Sequence, residues 1–269
     1  KPLARRRVLS EMEFLKQAEK AARLAAEVLE YWSEKFTVSE KSPANLVTEA
    51  DFAAQKIIYE TIHGCYPDHN FLGEEGLSET NSDSPYRWVI DPLDGTSNYV
   101  HRFPYYGVSI GLERDGELIV GAIFDPNRDE MFSATLGGGA TLNGQPISPS
   151  KFIEIQSAMV VASLPVHVEP DDVAIQRFLR VLTKAQTVQR TGSAALNLCY
   201  VAAGRMEAYF STNLKPWDMA AGALIVQEAG GCVGKINGDS LDIEVPDLLA
   251  CNSSSLRKDL IPLLTDPFD

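Results

Sequence analysis

No stretch of this chain approaches the roughly 18 consecutive apolar residues that a membrane-spanning helix needs, so no membrane partner is expected. Residues 1–7 are basic, but no apolar segment follows them, so no secretory signal is expected either. The chain opens on Lys1 rather than Met, and Met12 is a candidate natural start. Basic clusters are missing beyond residues 5–7, which argues against a nucleic-acid face. The four cysteines, Cys65, Cys199, Cys232 and Cys251, lie far apart, and no C-x-x-C pair exists to make a zinc ribbon or a dithiol redox site. Dispersed thiols of this kind read as small buried hydrophobes in a reducing, cytoplasmic compartment. The four histidines show no H-E-x-x-H spacing, so a histidine-centred metal site has no support. Repeats and low-complexity segments are absent as well.

What is present is a globular composition. Of 269 residues 45% are hydrophobic and 9% aromatic, enough for a sizeable core and too much for disorder. Charge is lopsided: 37 acidic against 24 basic residues give a net −13, which keeps the chain soluble and leaves acids available to hold cations. Apolar residues at Phe14, Leu15, Ala18, Ala22, Ala25, Leu29 and Trp32 predict an amphipathic helix over 12–32. A turn is expected at Lys41-Ser42-Pro43-Ala44-Asn45. Thr48, three before Asp51, then opens a helix ending near His63. The period changes to strands at 87–90, 105–113, 117–124 and 131–135, with hairpin turns at Asp115-Gly116 and Asn143-Gly144. After that, strands at 159–163, 187–190, 207–211 and 248–252 alternate with helices at 173–182, 194–203, 217–229 and 256–264, the last capped by Ser254 or Ser255. The fold class is therefore α/β (α+β), as one compact unit of two halves, 12–150 and 151–269.

Three acidic sites stand out by position. Gly73-Glu74-Glu75-Gly76 follows the apolar pair Phe71-Leu72. Asp91-Pro92-Leu93-Asp94-Gly95-Thr96 follows a strand, and Trp217-Asp218 opens a helix. Taken singly, each is an ordinary turn or helix cap. Together they exceed what turns require, and clustered carboxylates repel unless a proton or a cation neutralises them. Oxygen-rich acid clusters suit Mg²⁺, which suits phosphoryl transfer by lowering the pKa of an attacking water. Gly95 and Thr96 offer backbone N–H groups to a phosphate. Gly137-Gly138-Gly139 lacks the lysine of a P-loop and reads as a tight turn. His101-Arg102 reads as surface packing.

These residues resemble the inositol monophosphatase family. The match is carried by Gly73-Glu74-Glu75, by Trp88-Val89-Ile90-Asp91-Pro92-Leu93-Asp94-Gly95-Thr96-Ser97-Asn98 and by Trp217-Asp218-Met219-Ala220-Ala221-Gly222. Further matches are Lys41-Ser42-Pro43, Asn45-Leu46-Val47-Thr48, Asp51, Gly192-Ser193-Ala194-Ala195 and Glu228-Ala229-Gly230-Gly231. The resemblance implies a layered αβαβα sandwich of the sugar phosphatase type. It also implies a homodimer and a Mg²⁺-dependent, Li⁺-sensitive phosphomonoesterase acting on a small phosphorylated polyol or sugar, inositol 1-phosphate first. By the same resemblance, Glu74, Asp91 and the Leu93 carbonyl hold one Mg²⁺. Asp91, Asp94 and Asp218 hold a second, and Glu74 helps a third. Thr96 and Asp51 orient the attacking water, and Gly95 and Thr96 bind phosphate. Gly192, Ser193, Ala194 and Asp218 line the substrate pocket.

One position departs from the family. Its inositol-handling members carry a glutamate seven residues before the Trp-Asp aspartate, and here that substrate-facing position is Ser211. A short neutral hydroxyl lacks a carboxylate's reach and its charge-assisted acceptors. Fructose 1,6-bisphosphate, a nucleotide 3′-phosphate and histidinol phosphate are alternative substrates, and a regulatory binding role is the alternative to catalysis. A phospho-aspartate mechanism needs two aspartates one residue apart, whereas Pro92-Leu93 separates Asp91 from Asp94.

Overall fold

Segments that are apolar all round belong in a core, and those with one apolar stripe belong on its outside. That division orders this fold, a computed structural model describing residues 2–42 and 45–267. Its elements in chain order are α1 (Pro2–Trp32), β1 (Val38–Ser42), β2 (Asn45–Thr48), α2 (Glu49–His63), β3 (Asn70–Gly73), β4 (Ser78–Glu79), β5 (Tyr86–Asp94) and α3 (Thr96–Val100). The hairpin series β6 (Gly107–Arg114), β7 (Glu117–Asp125), β8 (Glu130–Thr135), β9 (Gly139–Leu142) and β10 (Gln145–Pro146) follows. The chain continues through β11 (Met159–Ala162), α4 (Val173–Leu182), β12 (Thr187–Gln189), α5 (Ala194–Ala202) and β13 (Ala208–Ser211). It ends with α6 (Pro216–Ala229), β14 (Cys232–Gly234), β15 (Leu248–Cys251) and α7 (Ser254–Thr265).

Eight strands form one sheet in the order β10-β9-β8-β7-β6-β5-β3-β4, and five form another in the order β12-β11-β13-β15-β14. The amphipathic α1 and α2 cover the outer face of the large sheet. There Ala18, Ala22, Leu29 and Ile58 pack on Trp88, Ile90 and Ile110. Helices α5 and α6 fill the space between the sheets, against Val89 and Ile123 on one side and Val161 and Tyr209 on the other. Every residue of α5 is buried, as its nearly all-apolar sequence requires, and its one amide, Asn197, accepts from the Tyr105 and Thr191 hydroxyls. Helices α4 and α7 close the far face through Val181, Leu256, Leu260 and Leu264. The result is the layered αβαβα sandwich.

Several boundaries differ from expectation. Strand β5 runs on through Asp91 to Asp94 instead of stopping near Ile90. Strand β12 ends at Gln189, releasing Arg190. Ser253 caps α7, its side chain accepting from Leu256 N, ahead of both serines expected there. The helix carrying Asp218 starts at Pro216, so Asp218 is its third residue rather than its cap. The turn expected at 41–45 contains Pro43 and Ala44, which lie outside the described residues. Among the described residues no helix is long and apolar enough to cross a membrane.

The central layer sits close to the large sheet because small residues face each other there. A Cβ on Gly111 of β6 would lie 2.9 Å from the Ala220 Cβ, and one on Gly121 of β7 would lie 2.5 Å from the Ala221 oxygen. The far end of α6 is pinned as well. The Glu228 carboxylate accepts the Gly137 and Gly139 N–H groups, each at 2.8 Å, which assigns the triple-glycine turn a structural task. We expect Gly121→Val to force α6 off the sheet and destabilise the protein by about 1–3 kcal/mol. A thermal melt checks this, and an unshifted midpoint would contradict so tight a contact.

Candidate metal and phosphate site

Two aspartates three apart on a regular strand point to opposite faces. Here they converge, because Pro92 cannot donate to the β6 ladder and the pairing breaks there. Asp91 pairs with Ser109 and Asp94 with Gly107, so three residue steps on β5 match two on β6. The extra residue turns Asp94 back to the side of Asp91. Asp218, in the first turn of α6, completes the group. One carboxylate oxygen from each of Asp91, Asp94 and Asp218 lies within 4.8 Å of the others.

Each carboxylate is held by backbone N–H groups. Leu93 N donates to Asp91 Oδ1 at 3.0 Å, and Lys215 N to Asp218 Oδ2 at 2.6 Å. Asp94 receives Ala194 N at 3.2 Å and Ala195 N at 2.7 Å from the start of α5, together with the Ser193 hydroxyl. Ser193 also caps α5 by accepting from Leu196 N at 3.2 Å. Asp51 is likewise fixed by its capping box: Thr48 N reaches Asp51 Oδ2 at 2.8 Å and the Thr48 hydroxyl reaches it at 2.6 Å. Its other oxygen faces the Thr96 hydroxyl at 3.1 Å, and that hydroxyl also lies 3.2 Å from the Leu93 carbonyl. Gly95, at φ 100°, makes the left-handed turn that lets Thr96 start α3, where the first N–H groups have no intrahelical acceptor.

Glu74 stands apart from the three aspartates. It follows β3, its N–H donates to the Ile90 carbonyl at 3.2 Å, and its Oε1 accepts from Lys41 Nζ at 2.8 Å. Lys41 also bridges to Glu75 at 2.7 Å. Gln55 clamps the backbone of Glu75, accepting from its N–H at 3.0 Å and donating to its carbonyl at 3.2 Å. Sequence reasoning missed Gln55, although a signal existed. It lies four residues after Asp51 on the same helix, so both side chains share one face.

A cleft of about 410 Å³ opens beside this cluster, lined among others by Asp94, Gly95, Thr96, Gly192, Ala194 and Asp218. Two residues expected on its wall lie behind it. Ser193 is fully buried and committed to Asp94, and Ser211 is buried at the end of β13 with its hydroxyl 2.9 Å from Asn213 Oδ1. Asn213 and Leu214 take the wall position instead. Asn98, also missed as a structural tie, donates to the Tyr105 carbonyl at 2.7 Å and the Thr191 carbonyl at 2.8 Å, joining the two sides of the cleft. His101 and Arg102 do not line it.

The electrostatics follow from burial. Desolvation pushes the Asp91 carboxyl well above the usual range, with Glu74, Asp94 and Asp218 adding repulsion. Asp218 is raised the same way, by burial and then by Asp94. Asp94 is raised to about 6 by burial, against the pull of Ser193, Ala195 and Ala194. Asp51 is raised by burial despite Thr48. Glu75 is raised to about 7, chiefly by burial. Three oxygen donors that resist ionisation together fit a hard divalent cation, which would relieve all three at once.

These features define a layered α/β protein with a carboxylate cluster beside a glycine turn at the mouth of a cleft. The chain matches the model of the inositol monophosphatase family over residues 10–266, and it belongs to that family. It is 38% identical over 250 residues to inositol monophosphatase 2 of Solanum lycopersicum, covering 90% of this chain and 94% of that one. It is 36% identical over 244 residues to Nus factor SuhB of Vibrio cholerae, covering 90% and 91%. The crystal structure of the extragenic suppressor protein suhB from Bartonella henselae superposes with a TM-score of 0.89 at 33% identity, covering 97% of this chain and 99% of that one.

The raised carboxyl groups set a pH dependence. Asp94 has a folded pKa of about 6, above its ordinary value near 3.9. Without a cation, its stabilising contribution is therefore fully present below about pH 4 and lost as pH rises through about 6. A cation competes with those protons, so Mg²⁺ is expected to raise the melting temperature more at pH 7.5 than at pH 5. Melts in Mg²⁺ and in chelator at both pH values check this, and equal shifts would contradict a site made of these acids.

Proposed function

We propose that this protein hydrolyses a phosphate monoester of a small polyol or sugar with Mg²⁺ as cofactor. The observation that carries the proposal is the convergence of Asp91, Asp94 and Asp218 within 4.8 Å beside the Gly95–Thr96 turn. These three aspartates, with Glu74 and the Leu93 carbonyl, would hold the metal. The chemistry Mg²⁺ supplies when bound is acidification of a water and stabilisation of the charge on the leaving oxygen. Thr96 Oγ1 donates to Asp51 Oδ1, which leaves the threonine oxygen to accept a hydrogen bond from the attacking water and aim it. The raised pKa of Asp51 suits it to take up the proton that this water releases. The N–H groups of Gly95 and Thr96 would bind phosphate oxygens. Asp94 cannot drift from its position, because the α5 terminus and Ser193 hold both its oxygens.

Family membership and the name of the tomato relative support inositol 1-phosphate as the first substrate to test. Lithium sensitivity, a homodimer and a cytoplasmic location belong to the same proposal and rest on the family resemblance. A second reading, a regulatory binding role, is favoured by the name Nus factor SuhB carried by relatives at similar identity. It would reopen the question of a nucleic-acid partner.

The test is Mg²⁺-dependent phosphate release from inositol 1-phosphate, fructose 1,6-bisphosphate, a nucleotide 3′,5′-bisphosphate and histidinol phosphate, each with a chelator control. Asp94→Asn and Asp218→Asn should each lower turnover at least ~100-fold, the order of loss for removing one electrostatic contact to a transition state, with the fold retained by circular dichroism. Turnover of the wild type on none of these compounds would shift the weight to the binding role.

A further inference from the structure

The fold brings together two cysteines that lie apart in the sequence. Strand β14 is the outermost strand at one end of the five-stranded sheet and runs antiparallel to β15, with Cys232 directly opposite Cys251. Directly opposite residues of an antiparallel ladder point to the same face, with Cα atoms about 4.5 or about 5.5 Å apart. Both spacings fall inside the range of about 4.4–6.8 Å that a disulfide spans. The shared face is the outer one, beneath α7. Cys251 packs there with Leu249, Leu256 and Leu260, whereas Val233 and Ala250, the alternate residues of the two strands, face the central layer. A side chain on Gly234, two residues on from Cys232, would run into the guanidinium of Arg257 on α7, which fixes the same direction for β14.

Access divides the two thiols. Cys251 is fully buried, and Cys232 is half-buried on a strand that has a neighbour on one side only among the described residues. Burial holds the Cys251 thiol above its ordinary pKa; Cys232 adds to the rise and Arg257 opposes it. Cys251 therefore stays protonated and shielded from a dissolved oxidant, while Cys232 is within reach of one. Cys199 lies between the sheets in α5, and Cys65 is exposed beyond α2, so neither shares the outer face with this pair.

We infer that Cys232 and Cys251 are a redox modification site, which hydrogen peroxide converts to a reversible disulfide tying β14 to β15. The Cys232 thiolate attacks the peroxide: an S–O bond forms, the O–O bond breaks, and the departing hydroxide takes a proton and leaves as water. The Cys251 sulfur then attacks the sulfenic sulfur. The S–S bond forms, the S–O bond breaks, and the hydroxyl leaves with the Cys251 proton as a second water. Two thiols are oxidised and one peroxide is reduced, and a dithiol reverses the change by exchange. The bond lies where the chain leaves α6. A Cβ on Gly231 would lie 2.7 Å from Val226 Cγ1 and 2.9 Å from the Cys251 carbonyl oxygen, so the exit is already packed against β15. Asp218 is at the opposite end of that helix, about 18 Å away at the rise of an α-helix. Oxidation therefore fastens the edge of the smaller sheet and leaves the acid cluster in place, whichever function that cluster serves.

In the experiment, hydrogen peroxide is added to the folded wild type well below its melting temperature. Remaining thiols are blocked by alkylation, and the protein is digested without reductant. Mass spectrometry should find a peptide pair joining Cys232 to Cys251, two hydrogens lighter than the separate peptides and split by dithiothreitol. Cys199 should be recovered as a thiol, because the chain has not unfolded. Oxidised wild type should melt about 5 °C above the reduced protein, the order expected for one added cross-link. With dimedone present, Cys251→Ala should carry the sulfenic-acid label on Cys232, whereas Cys232→Ser should leave Cys251 unlabelled. Peroxide that oxidises the exposed Cys65 and leaves Cys232 and Cys251 as thiols would overturn the inference. A cross-link that appears only together with oxidation of Cys199 would overturn it too, since unfolding would then have made the bond. Label on Cys251 in Cys232→Ser would overturn the order of attack, and an unshifted melting midpoint would overturn the tie between the strands.

Discussion

Holding three carboxylates, two buried and one half-buried, within 4.8 Å of one another is the constraint on which this fold turns. Like charges at that spacing in a poorly hydrated site repel strongly, and desolvation adds to the cost of ionising each. The structure meets this with backbone dipoles rather than with buried cations. Each of Asp91, Asp94 and Asp218 takes at least one main-chain N–H, from Leu93, from Ala194 and Ala195, and from Lys215. Lys41 answers Glu74 and Glu75 instead. Burial works against its ammonium, yet the two glutamates outweigh that and hold its pKa above the ordinary lysine value. The acids are thus fixed in place without being neutralised, which is the condition for holding a divalent ion firmly.

That solution dictates the middle layer. Helices α5 and α6 are packed side by side between the sheets, and both begin at the acid cluster. Their positive dipole ends therefore face the same carboxylates, where negative charge is favoured. Neither helix can shift along its axis without moving Asp94's donors or Asp218 itself. The small-residue contact of Gly111 and Gly121 with Ala220 and Ala221 brings α6 close enough for Asp218 to reach across to a residue of β5. The Glu228 clamp on the Gly137–Gly139 turn holds the opposite end. Packing far from the cleft is thereby connected to geometry within it.

Much of this was legible in the amino-acid sequence, for reasons that differ by element. Helix α4 was found to the residue because its period is strong and its ends are marked. The hairpins at Asp115-Gly116 and Asn143-Gly144 were legible because both residues of each turn take positive φ, which Asn, Asp and Gly accept most readily. The short β1–β2 ribbon, β4 and β14 were not expected, being two to five residues long with no alternation to detect. The αβαβα layering and the cluster of Asp91, Asp94 and Asp218 came from motif resemblance, and the fold follows it. What local pattern could not supply was direction. Ser193 lies in a matching motif and Ser211 at the one departing position; both were expected to face the cleft, yet one turns to Asp94 and the other to Asn213, because tertiary hydrogen bonds decide where a short hydroxyl points. Pro92 was the one local sign that Asp91 and Asp94 would meet.

The division of labour between acids and rim explains how one family can keep its chemistry while its members' names diverge. The acids sit at element ends tied by backbone hydrogen bonds on at least two sides of the cleft. A substitution among them disturbs a strand bulge, a helix start or both. Arg190, Asn213, Leu164 and Val166 come instead from the segments after β12, β13 and β11, where side chains change without altering a ladder or a cap. Ser211 shows the consequence within this chain. It is buried behind the wall with its hydroxyl on Asn213, and the acid cluster a few residues away keeps its own separate set of hydrogen bonds. The acid end and the rim of the cleft are therefore separately mutable, so a reading of the chemistry belongs to the cluster and a reading of the substrate to the rim.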